Sequence, residues 1–340
     1  MESLVHCGPE GLDLDRRGVV RYLVRIDYRW QDEAARLDYP IVIFANGEGP
    51  RILLVGGTHG DEFEGQFAVT RIAGRLAPDE IRGTLIVVPT HNRPAALVGE
   101  RCSPVDGADL NRLYPGADGD GPSRAIARFV TGCLLPAVDT VIDIHSGGNT
   151  HEFVLSSNLQ GRIGTPAYER DLPALLAFDA PYAIVFDEVG QNAMPHGGTL
   201  EAAAIASGKR AFSSELGGSG RTTPASLAVA EIGIVNLLRH LGMLAGPSPS
   251  PQESRSVLLS LTRSENYVEP DERGHFAPEI WLGATVEAGQ RLGAIHRFED
   301  PASTPSEIRA RCGGTVVAIA SRSIVAPNEP VFMIAEPISY

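Results

Sequence analysis

Two histidines and two glutamates stand where metal or proton chemistry could be done. In Gly-Gly-Thr-His-Gly-Asp-Glu (56–62), His59 and Glu62 lie three apart, behind an apolar run from Ile52 to Val55. A pattern that fits an amphipathic helix follows at Phe67, Val69, Ile72 and Leu76. At that offset two side chains project to the same side of a helical turn, so an imidazole and a carboxylate can converge on one ion. The surrounding glycines allow tight turning and close backbone approach. Catalytic zinc takes three protein ligands and leaves its fourth position to water. His145 is the best third candidate, since it ends the strand-like run Val141-Ile142-Asp143-Ile144 and precedes Ser146-Gly147-Gly148. Glu215 occupies a similar place, with Gly217 and Gly218 behind it.

Each of these residues also has a plainer reading. His-x-x-Glu is commonly a solvated helix start, and a histidine after a strand is more often a hydrogen-bonded structural group. A lone Glu215 would be a helix-cap or core-edge carboxylate. Repetition tips the balance, because open α/β sheets build their sites outside the carboxyl ends of strands. We expect a metal hydrolase.

A second constellation is Asp109-Leu110-Asn111-Arg112-Leu113-Tyr114-Pro115-Gly116, preceded by Arg101 in Gly99-Glu100-Arg101-Cys102-Ser103-Pro104. It falls in a long aperiodic stretch, and long irregular loops in a compact domain are usually functional. Arginine suits a bidentate grip on a carboxylate, and its fixed charge can stabilise an oxyanion. The default for any one of these arginines is a surface pair with Asp106 or Asp109.

Positioning these groups requires alternating strands and helices. Residues 19–28 and 39–45 read as early strands, an antiparallel pair at a sheet edge. Then come strand 51–56, helix 62–77, strand 83–90, helix 122–136, strand 138–144, helix 168–179, strand 182–187, helix 199–207, strand 209–215 and helix 223–243. This order predicts a mostly parallel α/β sheet flanked by helices. Ala245-Gly246-Pro247-Ser248-Pro249-Ser250-Pro251 is a linker by composition. Beyond it, short β-type runs (256–262, 279–286, 291–297, 314–320, 330–335) predict a small all-β domain. The expected division is a catalytic domain over 1–246 and a β domain over 247–340.

Composition narrows the partners. A formal net charge of −13 over 340 residues opposes nucleic-acid and anionic-membrane binding. The N-terminal residues lack the pattern of a secretory signal, and no apolar run is long enough to span a bilayer. Cys7, Cys102, Cys133 and Cys312 are scattered, which suits reduced cytoplasmic thiols and argues against sulfur-ligated zinc. Lys209 is the only lysine, so Schiff-base chemistry would rest on one residue. His91 reads as a hydrogen-bonded structural histidine, and His151 and His196 as loop residues near the cleft. The oligomeric state is open, a homo-oligomer included.

Four motifs in order, Gly-Gly-x-His-Gly-x-Glu (56–62), Asp-Leu-Asn-Arg-x-Tyr-Pro-Gly (109–116), Asp-x-His-Ser-Gly (143–147) and Ser-Glu-Leu-Gly-Gly (214–218), carry a family resemblance. The chain resembles the succinylglutamate desuccinylase/aspartoacylase family of the zinc carboxypeptidase superfamily. Within it, Gly-Asp-Glu-Phe-Glu-Gly (60–65), Ser-Pro-Val-Asp-Gly (103–107) and His-Ser-Gly-Gly (145–148) are most similar to N-acetyl-2,4-diaminobutyrate deacetylases. The resemblance implies a zinc-carboxypeptidase-like fold, with one zinc on His59, Glu62 and His145 and Glu215 as general base and acid. It further implies that Arg101 polarises the scissile carbonyl while Asn111 and Arg112 hold the substrate carboxylate. The implied reaction is hydrolysis of a small N-acyl amino acid. Two other readings are a zinc carboxypeptidase acting on short peptides and a non-catalytic relative that binds a small ligand. The segments Asn149-Thr150-His151 and Asn192–Gly198 depart from the deacetylase pattern and would shape the pocket.

Overall fold

In the computed structural model of the chain, residues 4–116, 118–187, 198–300 and 302–338 are described. Two long N-terminal strands, β2 (Gly18–Trp30) and β3 (Glu33–Asn46), pair antiparallel, with β1 (Val5–Cys7) parallel to β2 at the edge. The turn residues between them, Gln31 and Asp32, both have positive φ, which matches the twist of a two-residue hairpin. Next come β4 (Arg51–Gly56), α1 (Phe63–Arg75), β5 (Gly83–Val88), the single turn α2 (Arg93–Ala96) and α3 (Pro122–Phe129). They are followed by β6 (Thr140–His145), β7 (His151–Phe153), β8 (Ser156–Gln160), α4 (Pro166–Ala177), β9 (Tyr182–Phe186), α5 (Leu200–Ala206), β10 (Arg210–Glu215) and α6 (Pro224–His240).

These strands form one sheet in the order β1-β2-β3-β5-β4-β6-β10-β8-β9. Strands β5, β4, β6 and β10 are mutually parallel. Alternation along them separates two cores. Ile52 and Leu54 face one layer with Val69 and Ile72 of α1 and Leu237 of α6. Leu53 and Val55 face the other, with Ile126 and Phe129 of α3 and Ala203 and Ala204 of α5. The expected α/β architecture is therefore present, with helices on both faces.

The expected helix over 122–136 is shorter. After Phe129 the chain widens into a π-type turn over Val130–Leu134 and then tightens into a 3-10 turn over Leu135–Ala137. Gly132 weakens the helix and Pro136 removes an amide donor. Strand β8 was not expected at all. Ser156-Ser157-Asn158-Leu159-Gln160 has no apolar alternation, yet it pairs with β10 antiparallel and with β9 parallel. Its buried polar groups are answered locally: Ser156 Oγ donates to Asn158 Oδ1 at 2.9 Å and Ser157 Oγ to the Leu175 carbonyl at 3.1 Å.

Residues beyond 246 are almost entirely strand and turn: β11 (Val257–Leu261), β12 (Tyr267–Val268), β13 (Gly274–Pro278), β14 (Thr285–Val286), β15 (Arg291–His296), β16 (Ser306–Arg309), β17 (Gly314–Ala320), β18 (Ile324–Val325) and β19 (Phe332–Pro337). The run expected over 279–286 is strand only at 285–286, while β13 and β16 were not anticipated. Strands β16, β15, β13 and β18 make a separate antiparallel sheet. The others extend the main sheet, with β11 parallel to β9 and antiparallel to β19. Strand β7 pairs with β17, tying the segment after His145 to the C-terminal region.

Candidate active site

Strands β4, β6 and β10 end together. Glu215 sits opposite His145 in the β10–β6 register, and Gly56 opposite Ile144 in the β4–β6 register. The chain leaves β4 through Gly57, which has φ +73°, a conformation that costs glycine little. Helix α1 then starts without a side-chain cap from Glu62, because that carboxylate turns into the cleft instead. Close packing brings it there: a Cβ on Gly65 would lie 2.2 Å from the Ile144 carbonyl oxygen. Only glycine lets α1 ride this close to the end of β6.

His59 Nδ1 stands 2.6 Å from Glu62 Oε1, and His145 Nδ1 stands 2.8 Å from Glu62 Oε2. One donor atom from each residue lies within 4.8 Å of the others, and all three side chains are buried. The far nitrogens each face another carboxylate. His59 Nε2 is 3.1 Å from Asp109 Oδ1. His145 Nε2 is 2.9 Å from Asp143 Oδ2, an ion-pair contact whose angle falls short of a hydrogen bond. Carboxylates behind histidine ligands fix the ring and raise its basicity. Asp143 is held in turn by Thr58 Oγ1 at 2.8 Å.

Electrostatics favour positive charge here. Burial would raise the Glu62 carboxyl, but the two imidazoles outweigh it and hold Glu62 well below the usual carboxylate range. Burial likewise opposes charge on His145, yet Asp143 and Glu62 outweigh it and hold the imidazole well above its ordinary value. Lone pairs that draw a proton this strongly would also draw a divalent cation. The donor set therefore fits a metal.

Arg101 approaches the same cluster. Its Nη2 is 3.0 Å from Asp109 Oδ2 and its Nη1 is 3.5 Å from Glu62 Oε1. Asp109 thus serves both His59 and Arg101, and these partners, with Arg112, outweigh its burial and hold it far below its ordinary value. Asn111 is buried and its Oδ1 accepts from the Leu200 amide at 2.9 Å, while Arg112 Nη1 donates to the Asn111 carbonyl at 2.8 Å. Glu215 shares this cleft, and its Oε2 is buried without a hydrogen-bond partner. Burial, and then the negative charge of Glu62, push its carboxyl up to about 8.

All seven site residues expected from the sequence line one cavity of about 520 Å³. The C-terminal region closes part of its wall through Arg322, Asn328 and Glu329. His151 also lines it, with Nε2 2.8 Å from the Pro330 carbonyl oxygen. His91 does not. It is fully buried between the hydroxyls of Tyr39 (at Nδ1) and Tyr114 (at Nε2), and burial lowers it to about 4. His196 and residues 192–197 of the expected pocket loop lie outside the described residues. Sequence reasoning missed Glu201, a buried acid on α5 that lines the cavity. In Thr199-Leu200-Glu201 it looks like an ordinary acid in a helix's first turn, and nothing in the sequence distinguishes it.

Fold and site together define an α/β enzyme with a place for one divalent metal beside an arginine and a protonatable carboxylate. The family model of the succinylglutamate desuccinylase/aspartoacylase catalytic domain matches residues 48–241. Over 299 residues the chain is 34% identical to N-alpha-acetyl-L-2,4-diaminobutyric acid deacetylase of Halomonas elongata, covering 88% of this chain and 86% of that protein. A crystal structure of succinylglutamate desuccinylase/aspartoacylase from Rhodobacter sphaeroides superposes with a TM-score of 0.88 at 31% identity, covering 97% of this chain and 98% of the other. The product-bound ectoine utilization protein EutE (DoeB) from Ruegeria pomeroyi gives 0.86 at 30% identity, covering 96% and 98%. The chain belongs to the succinylglutamate desuccinylase/aspartoacylase family. It is a hydrolase that cleaves the amide bond of N-acyl amino acids.

Proposed function

We propose that this chain is a zinc-dependent, cytoplasmic deacylase of small N-acyl amino acids, with an N-α-acetyl-2,4-diaminobutyrate as the favoured substrate. The observation that carries this is the buried, unpartnered Glu215 carboxyl beside the His59–Glu62–His145 cluster, with Arg101, Asn111 and Arg112 in the same cavity. Relatives named for diaminobutyrate deacetylation and ectoine use support the substrate. Four cysteines free of disulfides support the cytoplasm. Among the described residues no helix is long and apolar enough to cross a membrane.

His59, Glu62 and His145 would hold the zinc. Bound there, zinc supplies positive charge that acidifies water and polarises a carbonyl. Asn111 and Arg112 grip the substrate carboxylate and so fix the amide in the cleft. Glu215 takes a proton from water as the water oxygen bonds to the carbonyl carbon, and returns it to the amide nitrogen as the C–N bond breaks. Arg101 donates to the carbonyl oxygen as its charge develops. The wall formed by Arg322, Asn328 and Glu329 supports small substrates over long peptides. Incubating the zinc-loaded protein with N-acyl amino acids, dipeptides and longer peptides, with amine release as the readout, tests this. Turnover of peptides alone would refute it.

A further inference from the structure

Glu201 is 5% exposed and lines the catalytic cavity, yet its Oε2 has no hydrogen-bond partner. Its Oε1 lies 3.7 Å from His145 Nε2, but that nitrogen already has Asp143 at 2.9 Å. Glu201 also interacts with the Thr199 hydroxyl and with its own amide. Among the described residues no arginine or lysine pairs with it, and residues 188–197, which precede α5, contain neither. A buried carboxylate is costly unless a cation answers it. Glu215 is the other cavity acid with an unpartnered oxygen, and the proposed proton transfer uses it, which leaves Glu201 without a task.

Its position says what the cation belongs to. The amide of Leu200, the preceding residue, donates to Asn111 Oδ1 at 2.9 Å. Glu201 is therefore held one residue from the carboxylate anchor. Two other acids in the lining answer the demand less well, since Glu329 is exposed and Asp187 only half-buried.

We propose that Glu201 is a specificity-determining residue that binds a side-chain ammonium, so the preferred substrate is an N-acyl amino acid with a short aliphatic amine. This rests on the deacylase function proposed above. Carboxylate and ammonium of one substrate would then be read from the two ends of the Asn111–Leu200 hydrogen bond.

The test compares kcat/KM of the zinc-loaded protein for N-α-acetyl-2,4-diaminobutyrate and its neutral analogue N-acetyl-2-aminobutyrate. Alongside, the melting shift produced by free 2,4-diaminobutyrate and by 2-aminobutyrate is measured. Wild type should favour the cationic substrate by on the order of a hundredfold, a selectivity typical of a paired buried charge. Glu201→Gln should collapse that ratio, chiefly by raising KM for the cationic substrate, and should abolish the extra melting shift of the diamine. Glu201→Asp keeps the charge and should retain part of the preference. An unchanged ratio in Glu201→Gln overturns the proposal. So does an equal loss on both substrates with lost zinc, which would make Glu201 a support for His145. Wild type that hydrolyses both substrates equally overturns this inference and leaves the deacylase function standing. Hydrolysis of neither, with the diamine-specific shift intact, overturns the deacylase function and leaves the ammonium site.

Discussion

At the scale of single residues, we propose that Glu215 and its neighbours carry the chemistry. Glu215→Gln keeps the shape and removes the proton carrier, so zinc content should stay near wild type while kcat falls by roughly a hundred- to ten-thousand-fold. Normal zinc content with unchanged kcat would place the proton carrier elsewhere. The two arginines should fail differently. Arg112→Ala should chiefly raise KM, and amidating the substrate carboxylate should hurt wild type far more than this variant. Arg101→Ala should chiefly lower kcat, by about 3 kcal/mol in barrier height for one oxyanion partner. Steady-state kinetics on the acid and its amide separate these outcomes. His59, Glu62, His145 and Glu215 were legible in the sequence because each follows a strand pattern among glycines. Glu201 was not, because what sets it apart is an unpartnered oxygen inside the cavity, which depends on how the chain folds around it.

Elements carry the next layer, and His91 shows how. Its amide donates to the Gly56 carbonyl at 2.9 Å, and the next amide, Asn92, donates to Gly57 at 2.8 Å. The end of β5 is thereby pinned to the turn that launches His59. Between two tyrosine hydroxyls the neutral ring can both donate and accept, whereas the charged ring could only donate. Its folded-state pKa of about 4 lies below the ordinary 6.5. The unfolded chain therefore binds the extra proton between those values, and stability rises with pH across that window. Above 6.5 the contribution is complete, and it is lost as pH falls toward 4, by about 3 kcal/mol at most. Urea unfolding of wild type and His91→Gln at pH 7 and pH 4.5 should show a smaller pH dependence in the variant. Equal pH dependence would show that His91 contributes nothing to stability across this window. The β–α order was visible in apolar periodicity, whereas β8 was hidden because its buried side chains are satisfied by serine and asparagine hydrogen bonds rather than by apolar contact.

The whole molecule joins its two halves through one sheet. We propose that the change of architecture at 246/247 is a domain boundary across which β11 completes the edge of β9. Ile184 of β9 and Val154 pack in a cluster with Leu259, Leu261, Val317 and Ala335. A chain ending at residue 246 would bare that cluster and leave the β9 edge unpaired, a template for aggregation. It should be recovered mostly insoluble, and a soluble, monodisperse fragment on size exclusion would contradict this. The same joint brings Arg322 and Glu329 to the cavity, which local sequence patterns could not anticipate because the contact spans more than a hundred residues. We propose that in this assembled site His59, Glu62 and His145 hold one zinc beside Glu215 for amide hydrolysis. The most direct test is amine release from N-α-acetyl-2,4-diaminobutyrate as zinc is titrated into the metal-free protein. The rate should rise from near zero and break at one equivalent per chain, with no such rise in His145→Ala. Full turnover without added metal, or the same titration curve from the variant, would contradict it.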